Sequence, residues 1–118
     1  MSDRTETVHA FDVLADPVRR RLVELLADGE RSAGDLTATA RTEFGISQPA
    51  VSQHLRVLRE NGFATVRPEG TRRLYAVDTS ALDDVEAWLA TVKRHWQPRL
   101  DALATEVARG KRNRRTKR

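Results

Sequence analysis

Apolar residues recur along most of this chain at intervals of three and four, the spacing that lines one face of an α-helix. Residues 8–14, VHAFDVL, predict a short opening helix. The next is sharply bounded: Asp16 suits an N-cap, Pro17 the first helical position, and Leu22, Leu25 and Leu26 share an apolar face before Gly29. In RSAGDLTATARTEFG, Ser32 followed three residues later by Asp35 resembles a capping box, and Gly45 ends the element. ISQPAVSQHLRVLRENGF supplies a further helix, with Ser47 as N-cap, Gln48 and Pro49 in the first turn and Gly62 as the residue after the C-cap.

The period then changes. Residues 64–67 and 72–77 are short β-prone runs separated by Pro-Glu-Gly-Thr, in which Gly70 can take positive φ, so they predict a hairpin with Arg67, Arg72 and Arg73 around its tip. From Ser80 a helical pattern returns through Leu82, Val85, Leu89, Val92, Trp96, Leu100, Leu103 and Val107, a heptad-like seam with one extra residue of phase between Trp96 and Leu100. Pro98 falls in that break and is expected to kink the helix or split it near Gln97. The pattern holds no internal repeat.

The helix after Ser47 has an unusual outer face. Val51, Leu55 and Leu58 form its apolar side, while Gln48, Ser52, Arg56 and Arg59 lie opposite, flanked by Pro49 and Gln53. Small amides and hydroxyls in place of Glu and Lys fit either an ordinary solvated face or one that enters a DNA groove. There Gln pairs with adenine, Ser donates or accepts, and Pro49 or Ala50 can touch a thymine methyl. The Arg-tipped hairpin that follows favours the second reading. Helix, turn, helix, basic hairpin is the winged helix-turn-helix order.

Charge changes the picture less than its sum suggests. The net charge is +4 and the pI about 10.3, but six of the 21 Lys and Arg lie in the last eight residues, KRNRRTKR. Residues 1–110 therefore hold 15 basic against 17 acidic groups, a net −2. We read residues 1–110 as one domain and 111–118 as a disordered basic tail that aids solubility or adds phosphate contacts. The absence of cysteine excludes a disulfide framework, a thiolate metal site and a thiol nucleophile. The polar N-terminus and the lack of a long apolar run predict a cytoplasmic protein without a membrane partner.

The run SQPAVSQHL, followed by R-x-L-Y at residues 72–75, resembles the core of ArsR/SmtB-type winged-helix transcriptional regulators, and FDVLADPVRRRLVELLADGERSAGDL resembles their opening helices. The resemblance covers about residues 8–96. It implies a homodimeric, sequence-specific DNA-binding repressor whose terminal helices pair between subunits; two reading helices about a twofold axis would then read an imperfect palindrome in double-stranded DNA. Position by position it points to Ser47, Gln48, Ser52 and Gln53 for base contacts, with His54 nearby, and to Arg67, Arg72, Arg73 and Tyr75 on the wing; Pro49 and Arg56 join the DNA-binding set from the outer face of the same helix. The seam residues Leu82, Val85, Leu89, Val92, Trp96 and Leu100 become the dimer interface. The chain departs from the family's metal sensors: Ser32 to Asp35 hold no cysteine, and Asp84, Glu86 and His95, with Pro98 three residues on, do not assemble the set on the terminal helix. We therefore expect no metal and no cofactor, and leave an effector open.

Other features have simpler readings. His9, His54 and His95 include no ligand-spaced pair, and His54 either packs beside its helix's apolar face or touches DNA. Trp88 and Trp96 fit the seam more simply than an effector pocket. GISQP begins like a nucleophile elbow but has proline at the second glycine position, so no enzyme is expected. Two alternatives stay open: a non-specific architectural DNA-binding protein using its tail, and a protein-interaction winged-helix module.

Overall fold

The computed structural model describes the backbone of residues 4–116 and the side chains of residues 9–110. The described residues form two compact units that divide after Val85. In the first, α1 (Arg4–Ala15) and α2 (Pro17–Ala27) are followed by β1 (Arg31–Ser32), α3 (Ala33–Phe44), α4 (Gln48–Glu60), β2 (Ala64–Glu69), β3 (Arg72–Val77) and the first turns of α5 (Ser80–Thr116). The second unit is the remainder of α5 from Glu86.

Local chemistry sets these boundaries. Asp16 Oδ1 accepts from the backbone N–H of Val18 at 2.8 Å and of Arg19 at 3.2 Å, capping α2 with Pro17 in its first turn. Ser32 Oγ accepts from Asp35 N–H to start α3, and Ser47 Oγ accepts from Ala50 N–H to start α4. At the far end of α4, Gly62 has φ 80°, a left-handed conformation that a side chain would strain. The turn it makes lets Phe63 N–H donate to Leu58 carbonyl at 2.9 Å, the long bond of a Schellman motif. Leu58 and Phe63 are both fully buried, which adds the hydrophobic contact that accompanies that motif.

The core forms where the apolar faces of the helices meet the sheet. Leu22 and Leu26 of α2, Leu36 of α3, Val51 and Leu58 of α4, and Phe63 are its largest fully buried members. Each such burial contributes roughly 1.5–3 kcal/mol before ordering costs. Leu82 and Val85, expected in a seam with a second copy, are instead half-buried against this core. α5 begins with Asp78 accepting from both Ser80 N–H and Ser80 Oγ–H.

Three features differ from expectation. The sheet has three antiparallel strands in the order β1-β3-β2, with Arg31 opposite Tyr75 and Ser32 opposite Leu74. β1 has only two residues, too few to show alternation. The hairpin is also tighter: Glu69 pairs with Arg72, so Pro68 and Glu69 belong to β2 and the turn is Gly70-Thr71. Gly70 has φ 61° and no residue other than glycine has positive φ, which is the II′ pattern among the described residues. Finally, α5 runs on to Thr116, so the backbone of residues 111–116 is helical rather than unstructured; of the kink or split expected near Pro98, the split does not occur. Lys117 and Arg118 lie outside the described residues.

Asp16 supplies a test of the α2 cap. Its partial burial opposes ionisation, but the two backbone hydrogen bonds and the nearby His54 and Arg19 outweigh that and hold its carboxyl below the usual range. A lowered folded-state pKa stabilises above the unfolded value and loses that contribution as pH falls through the folded one. Asp16→Ala is therefore expected to cost about 1 kcal/mol at neutral pH. In denaturant titrations the gap from wild type should shrink as pH falls below about 4.

Candidate nucleic-acid interface

α3 and α4 follow one another through a three-residue connection, and burial of Val51, Leu55 and Leu58 fixes which side of α4 faces out. That outer side carries Gln48, Pro49, Ser52 and Gln53, all exposed. None of the Gln48, Ser52 and Gln53 side chains hydrogen-bonds to another described residue. Ser47 is exposed beside them, but its oxygen already serves as the α4 cap.

Between α3, α4 and β3 lies an open groove of about 490 Å³. Gln48 and Ser52 border it from α4, Thr37 and Arg41 from α3, and Arg73 from β3, above the buried side chains of Leu55 and Tyr75. Arg56 and Arg59 edge it at the C-terminal end of α4. Tyr75, expected among the DNA-binding wing residues, is a core residue on the central strand and reaches the groove only as floor.

The basic residues fall into two groups. Arg67 makes two 2.8 Å hydrogen bonds to the Glu30 carboxylate and lies 3.7 Å from Glu69. Arg72 lies 3.8 Å from Glu69, and Arg56 donates to Glu60 at 2.9 Å one turn along α4. Hydrogen bonding and charge within these pairs raise the pKa of Arg67 and Arg56 and lower that of Glu30. Three arginines named from the sequence thus have carboxylate partners of their own. Arg41, Arg59 and Arg73 form no ion pair among the described residues.

His54 faces the other way. It is half-buried, with Nδ1 3.5 Å from Arg19 Nη1, and Arg19 is itself held by the carbonyls of Val13 and Asp12. This places it against the junction of α1 and α2 rather than on the outer side of α4. Arg41 was missed because on α3 it reads as an ordinary solvated residue, and only the fold brings it to the groove. Among the described residues no group of three or more His, Cys, Asp or Glu could hold a metal ion, and no helix is long and apolar enough to cross a membrane.

Comparison with known proteins decides what this geometry belongs to. Residues 16–66, from the cap of α2 to the middle of β2, match the family described as bacterial regulatory protein, arsR family. The HTH-type transcriptional regulator Rv2034 of Mycobacterium tuberculosis is 38% identical over 104 residues, which span 88% of this chain and 91% of that protein. The chain belongs to the ArsR family. The transcriptional repressor SdpR of Bacillus subtilis is 31% identical, over 69% of this chain and 86% of its own. The crystal structure of an ArsR family transcriptional regulator, RHA00566, superposes with a TM-score of 0.70 at 28% identity, covering 82% of this chain and 97% of the other. A homodimeric winged helix-turn-helix DNA-binding domain, Mb0332 from Mycobacterium bovis, matches with a TM-score of 0.56 at 26% identity over 83% of this chain and 84% of its own. As an ArsR-family member with α3 and α4 as its helix-turn-helix and β2–β3 as its wing, the protein is a DNA-binding transcriptional regulator.

Proposed function

We propose that the protein is a homodimeric repressor that reads an imperfect palindrome, placing the N-terminal half of α4 from each subunit in the major groove and acting by binding rather than catalysis. The observation that carries this is the set of Gln48, Ser52 and Gln53, exposed and making no hydrogen bond within the described chain, on a helix whose roll the core fixes. An amide can pair bidentately with adenine, and a hydroxyl can donate or accept at a base edge. Pro49 beside them offers an apolar surface to a thymine methyl. The N-terminal end of α4 also favours a phosphate through its dipole.

The second subunit follows from α5. Leu89, Trp96, Leu100, Leu103 and Val107 are 46–57% exposed along it, an apolar stripe that water leaves unsatisfied. A second copy of the same helix would cover it, as befits a chain similar to the homodimeric Mb0332 domain. Leu82 and Val85 contribute less than the sequence suggested, because they are half-buried in their own subunit. Two copies of α4 related by a twofold axis would read half-sites about one helical turn, roughly 34 Å, apart. Similarity to the repressor SdpR supports repression, by occupancy of DNA that a polymerase must enter. We assign no metal, cofactor or effector, and place the protein in the cytoplasm with its DNA.

Two experiments test this reading. Gln53→Ala should weaken binding to the selected operator by about 1–3 kcal/mol and leave random-sequence binding nearly unchanged, measured by fluorescence anisotropy. Equal losses on both duplexes would favour a charge-only architectural protein. Leu89→Glu with Trp96→Glu should convert a dimer to a monomer in light scattering; a wild-type chain that is already monomeric would point instead to an interaction module.

A further inference from the structure

Six arginines stand near the reading face, but they are not equivalent. A guanidinium already held by a carboxylate must release it to bind phosphate, and then leaves an anion beside the DNA. Its net gain in charge neutralisation is small. An exposed arginine with no partner brings its whole charge and releases counterions from the duplex. Of the six, those without an ion pair among the described residues are Arg41 on α3, Arg59 on α4 and Arg73 on β3, and all three line the same groove.

We propose that Arg41, Arg59 and Arg73 form a three-point cradle for one stretch of DNA phosphodiester backbone running along the groove between α3, α4 and the wing. The groove floor supports this: Leu55 and Tyr75 offer an apolar surface on which deoxyribose can rest while the three cations reach the phosphates. Gln48 and Ser52 border the same groove, so a strand held there brings its bases to the amide and hydroxyl face of α4. Glu60, by holding Arg56 at 2.9 Å on that groove's edge, withholds a fourth cation. Arg67, bound twice to Glu30, fixes the wing to the segment before β1 and takes no share in the cradle. The inference rests on DNA binding by the α4 face and adds which cations hold the backbone.

The test is the salt dependence of binding to a fluorescein-labelled random-sequence duplex, read by anisotropy between about 50 and 200 mM KCl. Arg41→Gln, Arg59→Gln and Arg73→Gln are each expected to reduce the slope of log K against log salt by about 0.9, and Glu60→Gln to steepen it by about 0.9 by freeing Arg56. Arg67→Gln should leave the slope unchanged. Thermal melting confirms that each variant is folded. Slopes unmoved by Arg41→Gln and Arg59→Gln, or lowered equally by Arg67→Gln, would overturn the cradle, and no change in Glu60→Gln would overturn the withheld role of Arg56. Operator preference is scored separately on the same variants: its retention with unmoved slopes sinks the cradle alone, whereas a wild-type protein with the expected slopes and no preferred sequence sinks the α4 reading alone.

Discussion

The roll of α4 about its own axis is the constraint on which the rest depends. Val51 and Leu58 are fully buried and Leu55 almost so, and the Schellman bond from Phe63 to Leu58 ties the end of the helix to the same core. A helix turns 100° per residue, so fixing three positions on one side fixes every other. Gln48, Ser52 and Gln53 have no freedom to face inward without exposing that apolar set. The N-cap at Ser47 and the bend at Gly62 define the two ends between which this face is presented.

Around that face the electrostatics are local. Residues 1–110 carry a net −2, so attraction to DNA cannot come from the body's overall charge and must come from where individual cations stand. The fold sorts them: Glu30, Glu60 and Glu69 occupy Arg67, Arg56 and Arg72, while Arg41, Arg59 and Arg73 stay open to the groove. These pairs are exposed and contribute little to stability, so their larger effect is on which arginines are available.

Much of this was legible in the chain itself because capping and periodicity are local. Asp16-Pro17, Ser32 with Asp35, Ser47 with Pro49, and Gly62 each mark a boundary that the structure reproduces, and the alternation after Phe63 gave the wing. What escaped was non-local. β1 exists only because β3 offers a free edge to Arg31 and Ser32. The partners of Arg67 and His54 lie 37 and 35 residues away, a separation at which neither spacing nor propensity carries information. Tyr75 was named as a wing residue from the family resemblance, and only the packed core shows that its side chain is buried. At Pro98 the chain pattern left a kink and a split both open, and the continuous α5 removes the split.

The most direct measurement of the central claim is selection of bound fragments from a random duplex pool by the wild-type protein, with and without divalent metal. The account predicts a twofold-symmetric consensus whose half-sites repeat about one helical turn apart, roughly 34 Å, unchanged by the metal. Recovery of fragments with no shared sequence would contradict it.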